Sequence, residues 1–114
     1  MKTPAVEILP EFRVELSRKV AANLPHYEMH GRRTKLGGKP DWEQNCDETP
    51  RCRGCKRAMT FVAQIDSVEH DGRSNPHAVD AISPNQKWML GDVGMIYVFF
   101  CFKCLQTKSV FQCG

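Results

Sequence analysis

The sequence predicts an α+β domain in which an N-terminal helix packs on a small antiparallel β-sheet. Three observations predict it. Apolar residues recur at helical spacing over residues 9–24. Two later segments, Met59 to Asp66 and Met95 to Phe102, have the composition of strands. Two C-x-x-C motifs, Cys52/Cys55 and Cys101/Cys104, flank those strands and supply the ligands of a zinc-ribbon-like site.

The helix rests on Leu9, Phe12, Leu16, Val20 and Leu24, spaced three and four apart. Pro10 suits a first helical turn and Pro25 a stop, while Ser17, Arg18 and Lys19 fall on the other face. Residues 26–49 read as irregular, with a short strand at Arg33 to Leu36 and a glycine turn, KLGGKPDW, ending on an apolar anchor at Trp42. From Met59 to Asp66 the chain alternates. Met59, Phe61, Ala63 and Ile65 are expected to face the core, and Thr60, Val62, Gln64 and Asp66 the solvent. Residues 67–92 are rich in Gly, Pro, Ser, Asn and Asp and read as a long surface loop or an insertion. MIYVFFCF, Met95 to Phe102, is apolar, aromatic and β-branched, which suits a central strand. Thr107 to Gln112 returns as a further strand, placing the second cysteine pair at a hairpin tip.

At 114 residues the chain reads as a single zinc-binding domain spanning 1–114. No apolar run is long enough to cross a membrane as a helix. Met1 to Pro10 carries one lysine and no apolar stretch of the secretory kind, so the expected compartment is the cytoplasm. There the six cysteines stay reduced or bind metal. Four thiolates from Cys52, Cys55, Cys101 and Cys104 make a closed tetrahedral site with no position for water, so the expected cofactor is structural Zn²⁺ and the site is not catalytic. The 45 residues between Cys55 and Cys101 are too many for a compact finger and imply one globular unit closed around the ion.

Formal net charge is +3; four thiolates and one Zn²⁺ would bring it to +1. Arg51, Arg53, Lys56 and Arg57 crowd the first pair and Lys103 lies within the second, a field that favours thiolate or simply a solvated cluster. Cys46 and Cys113 are left over and read as plain thiols, a substitute ligand or a labile disulfide being the alternatives. His26, His30, His70 and His77 have no ligand spacing, and Asp66, Glu69, His70 and Asp71 lack a nucleophile and read as a solvated turn. GGKP lacks the spacing of a phosphate loop.

Taken together, KLGGKPDW (35–42), Cys52/Cys55 with Met59 following, FVAQIDS (61–67), GDVGMIYVFFC (91–101) and FQC (111–113) resemble the YwqG-like family of bacterial proteins over residues 35–114. A weaker likeness runs to the programmed cell death protein 2 family, which shares a KLGG-type turn followed by cysteine pairs. The YwqG-like resemblance implies a β-rich domain without established enzymatic activity. Some of those relatives occur beside secreted toxins, which implies an immunity or antitoxin role with a toxin as partner. The chain is about half the length typical of that family, and the helix lies outside the matching region. The expected function is a non-catalytic, zinc-stabilised protein-binding module. Two alternatives stand beside it. A nucleic-acid-binding zinc ribbon would use Arg32, Arg33, Lys35 and Lys39 together with Arg51 to Arg57. A thiol redox protein would use CRGCK, although an alternating strand rather than a helix follows the motif.

Overall fold

The computed structural model describes residues 8, 9, 11, 13–16, 33–67, 90, 91 and 94–113. Among them the chain forms one antiparallel sheet in the order β1-β2-β3-β4, with β1 Lys35–Leu36, β2 Thr60–Asp66, β3 Met95–Cys101 and β4 Gln106–Gln112. The strands follow sequence order, so each pairs with its neighbour along the chain. The apolar run 95–101 occupies an interior position, as its composition requires.

The predicted helix finds no support. The described residues of 9–24, which are Leu9, Glu11 and Arg13 to Leu16, are irregular and exposed, and the rest of the segment lies outside the described residues. No helix occurs among the described residues, so the architecture they show is all-β. The loop expected at 67–92 also lies outside them, apart from Ser67, Leu90 and Gly91.

The inward face of β2 differs from the alternation read in the sequence. Phe61 pairs with Phe99, but the next register pair is Ala63 with Val98, so Val62 is an extra residue in the ladder. Such a bulge reverses the phase of everything beyond it. Phe61 keeps its place beside Phe99, whereas Gln64 and Asp66 turn inward opposite Tyr97 and Met95. The bulge coincides with the glycine turn. Gly37 and Gly38 adopt φ of 73° and 76°, and the Gly37 N–H donates to the Val62 carbonyl at 2.7 Å.

Three zones follow one another along this inward face. At one end Met59 packs with Cys52 and Cys101, the buried members of the cysteine cluster. In the middle Trp42 lies on Tyr97 and Phe99, at ring-centroid distances of 4.6 and 6.0 Å, and Phe61 meets Phe99 edge-on at 5.7 Å. At the far end the buried groups are polar. Arg33, 6% exposed, forks onto Asp66, its Nε and Nη2 donating to the two carboxylate oxygens at 2.9 Å each, and its Nη1 pairs with Glu43. Burial alone would lower the Arg33 pKa; the hydrogen bonds and charges of Asp66 and Glu43 more than offset it and raise the pKa.

Three adjacent strands each lend one side chain to hold the segment 41–46 over the sheet. Gln64 Oε1 on β2 accepts from the Asp41 N–H, and its Nε2 donates to the Arg33 carbonyl. The Tyr97 hydroxyl on β3 donates to the Asp41 carbonyl at 2.7 Å and accepts from the Glu43 N–H at 2.9 Å. Gln112 on β4 accepts from the Gln44 N–H and donates to the Cys46 carbonyl. The segment is thus tied to the sheet by side chains, without a ladder of its own.

The Tyr97 phenol is pushed up to about 12, first by burial and then by the charges of Glu43 and Asp41, against the opposing Glu43 N–H and Arg33. A folded-state pKa above the unfolded value of ~10 means that the folded protein holds this proton longer. The stability it contributes is complete below about pH 10 and is lost as pH rises towards 12. An ultraviolet phenolate titration should show a step near pH 12 that disappears in Tyr97→Phe. A Tyr97 step at the ordinary tyrosine position would contradict the buried hydrogen-bonded phenol.

Candidate metal centre

The cluster is assembled from two local hairpins of matching construction. In the first, the Lys56 N–H donates to the Cys52 carbonyl at 2.9 Å and Lys56 takes a φ of 66°. In the second, the Leu105 N–H donates to the Cys101 carbonyl at 2.8 Å and Leu105 takes a φ of 57°. Each C-x-x-C therefore closes in one turn that is followed by a left-handed residue, which brings both thiols of a pair to the same side. The first hairpin is braced by a bridge between Arg51 and Ala58, the Met59 N–H bond to the Pro50 carbonyl, and Arg51 Nη1 on the Lys56 carbonyl. The second lies between β3 and β4, Cys101 being the last residue of β3.

β2 and β3 bring the hairpins together. The Sγ atoms of Cys52, Cys55, Cys101 and Cys104 all lie within 4.8 Å of one another, and Cys55 Sγ is 3.7 Å from Cys101 Sγ. A tetrahedral ion with metal–sulfur bonds of ~2.3 Å requires sulfur–sulfur edges of about 3.8 Å. The four thiols therefore fit one such ion. Cys52 and Cys101 are buried, and Cys55 and Cys104 half-buried.

A backbone amide is the chief cause of the acidity of Cys52. Hydrogen bonds from the Cys55 and Gly54 N–H groups and from the thiols of Cys101 and Cys104 hold Cys52 down to about 7, the Cys55 amide contributing most and burial opposing. Cys104 is pushed up to about 12, chiefly by its hydrogen bond to Cys52, then by burial and by Cys55. The first proton leaves this cluster easily and the last is held, so an entering cation must displace protons. The Cys104 N–H also donates to Cys101 Sγ at 3.4 Å.

Gly54 lets the hairpins approach each other. A Cβ at this position would stand 3.0 Å from Cys104 Sγ and 3.6 Å from Cys104 Cβ. Gly54→Ala should therefore weaken metal binding and lower stability by about 1–3 kcal/mol, the usual cost of overpacking. A chelator-competition titration reads the first effect and thermal melting the second. Unchanged values for both would mean that the hairpins are not held this close.

The remaining predicted residues are dispersed. Cys46 is exposed and Cys113 half-buried; both are free thiols outside the cluster. Asp66 belongs to the buried Arg33 pair rather than to a solvated turn, and Glu69, Asp71 and the four histidines lie outside the described residues. Of the first basic stretch, Arg33 is withdrawn into the interior, Lys35 pairs with Asp41 at 2.9 Å, Lys39 is exposed and Arg32 lies outside the described residues. Arg51, Arg53, Lys56 and Arg57 stay exposed. Sequence reasoning missed the inward roles of Gln64 and Gln112, which nothing in the mixed polar and apolar composition of β2 and β4 sets apart. No helix among the described residues is long and apolar enough to cross a membrane. Scans against protein-family models, curated proteins and solved structures find no match to this chain.

Proposed function

We propose that this chain is a non-catalytic protein-binding module stabilised by a structural Zn²⁺ on Cys52, Cys55, Cys101 and Cys104. Its most specific form is an immunity or antitoxin protein of a bacterial toxin system. The observation that carries the reading is the closeness of four thiols on two matching hairpins. An ion held by four thiolates has no open position for substrate or water, so its contribution is to the fold. The YwqG-like motifs at 35–42, 61–67 and 91–101 support the immunity role, by analogy alone. Exposed Leu36, Phe102, Leu105 and Phe111 supply apolar area suited to a protein partner.

Native mass spectrometry of protein purified without added metal tests the centre; one zinc per chain is the expected mass increment. Affinity purification followed by reconstitution from pure components tests the partner class. Recovery of nucleic acid with no protein partner would sink the module reading.

A further inference from the structure

The end of the sheet that carries the metal centre is strongly positive. Residues 50–60 and 101–112 contain Arg51, Arg53, Lys56, Arg57, Lys103 and Lys108 and no carboxylate. Six positive charges against the net −2 of a four-thiolate Zn²⁺ centre leave that end at +4, and all six side chains belong to exposed residues. None of them has an acidic partner among the described residues. The carboxylates of Asp41, Glu43 and Asp66 are engaged instead with Lys35 and Arg33.

A cleft of about 280 Å³ opens on this end, between the first hairpin and the start of β4. Arg51, Arg53 and Lys108 line it, with Gln106 and Thr107 beside them and Met59 buried against it. β4 is an outer strand of seven residues, and among the described residues nothing pairs with its free edge. Such an edge offers alternating N–H and C=O groups to an incoming strand.

We propose that this cleft and the adjoining β4 edge bind an acidic segment of a partner protein in extended conformation. The segment adds a strand to β4 and places its carboxylates against Arg51, Arg53 and Lys108. This rests on the protein-binding reading above and names the partner's chemistry and its place. Charge complementarity selects the acidic side chains, and the free strand edge selects a peptide backbone. A polynucleotide matches the charge but not the edge. No aromatic side chain lines the cleft to stack a base, since the exposed Phe102 is outside the lining.

The test uses the full metal-loaded chain and a synthetic octapeptide alternating Glu with Val or Thr. Binding is followed by amide chemical shifts, with oligothymidylate as the competing probe. Expected are shifts concentrated in Gln106 to Gln112 and an affinity that falls with added salt. Arg53→Glu combined with Lys108→Glu should cut that affinity about tenfold or more. Both residues are exposed, so metal content and melting temperature should stay unchanged in the variant. N-methylation of the peptide on the edge facing β4 should abolish binding, whereas methylation on the opposite edge should not. Three outcomes overturn the proposal: no peptide binding, binding indifferent to the double charge reversal, or tighter binding of oligothymidylate at the same residues. A reconstituted protein partner that binds wild type and the double variant equally would remove this site while leaving the protein-binding function in place.

Discussion

Removing the metal is expected to unfold the protein. A strong chelator, or Cys52→Ser or Cys101→Ser, should abolish the cooperative thermal transition, while Cys46→Ser and Cys113→Ser should leave both metal content and melting unchanged. The magnitude follows from what the ion contributes. Apparent binding to four thiolates is on the order of 10 kcal/mol or more and acts as folding free energy, which matches or exceeds the entire stability of a typical domain. The cysteine end of the core has little else in it. Its buried apolar neighbours are Met59 and the aromatic group around Phe99. Both Cys52 and Cys101 are buried, so a serine there also leaves a hydroxyl in a site built for sulfur. Circular dichroism melts beside native mass spectra separate the effects. A folded, metal-free Cys101→Ser protein with the wild-type transition would defeat the structural role. The absorption spectrum identifies the ion: a zinc-loaded protein is colourless, and iron on four thiolates is not.

The second large effect lies at the opposite end of the sheet. Arg33→Met is expected to cost about 3–5 kcal/mol, because it removes the forked guanidinium from two buried carboxylates, Asp66 and Glu43. Both the forked geometry and the burial count here. Arg33 Nε and Nη2 meet both oxygens of Asp66, and its backbone N–H donates to Asp66 Oδ2 at 3.1 Å. Arg33→Lys should fall between wild type and Arg33→Met, since an ammonium keeps the charge and loses the fork. Lys35→Met is the control. Its pair with Asp41 is solvent-exposed and should be worth less than about 1 kcal/mol. Denaturant unfolding of the four proteins with metal bound measures the series, and similar midpoints for Arg33→Met and Lys35→Met would contradict it.

The sequence announces the four-cysteine cluster far more clearly than it announces the polar end of the core. Cys52, Cys55, Cys101 and Cys104 are legible because thiol spacing reports local backbone geometry directly. The strand 95–101 is legible because a run of aromatic and β-branched residues has few other homes. The inward turn of Gln64 and Asp66 is not, because it depends on the bulge at Val62, and that bulge is fixed by an amide 25 residues earlier, at Gly37. Period-two reading has no access to a register shift imposed from a neighbouring strand. The helix expected at 9–24 rested on spacing alone, and a segment of that length needs a packed apolar face to be stable; its described residues show none, Val14 and Leu16 being exposed.

The four thiols and the buried polar groups occupy opposite ends of the same two strands. β2 runs away from the first hairpin towards Asp66, and β3 starts at Met95 and returns to Cys101. Seven residues of strand hold them roughly 20 Å apart. A fluorophore tag or a second domain joined beyond the Asp66 end of β2 would leave the cysteine cluster as a remote gauge of whether the host still folds.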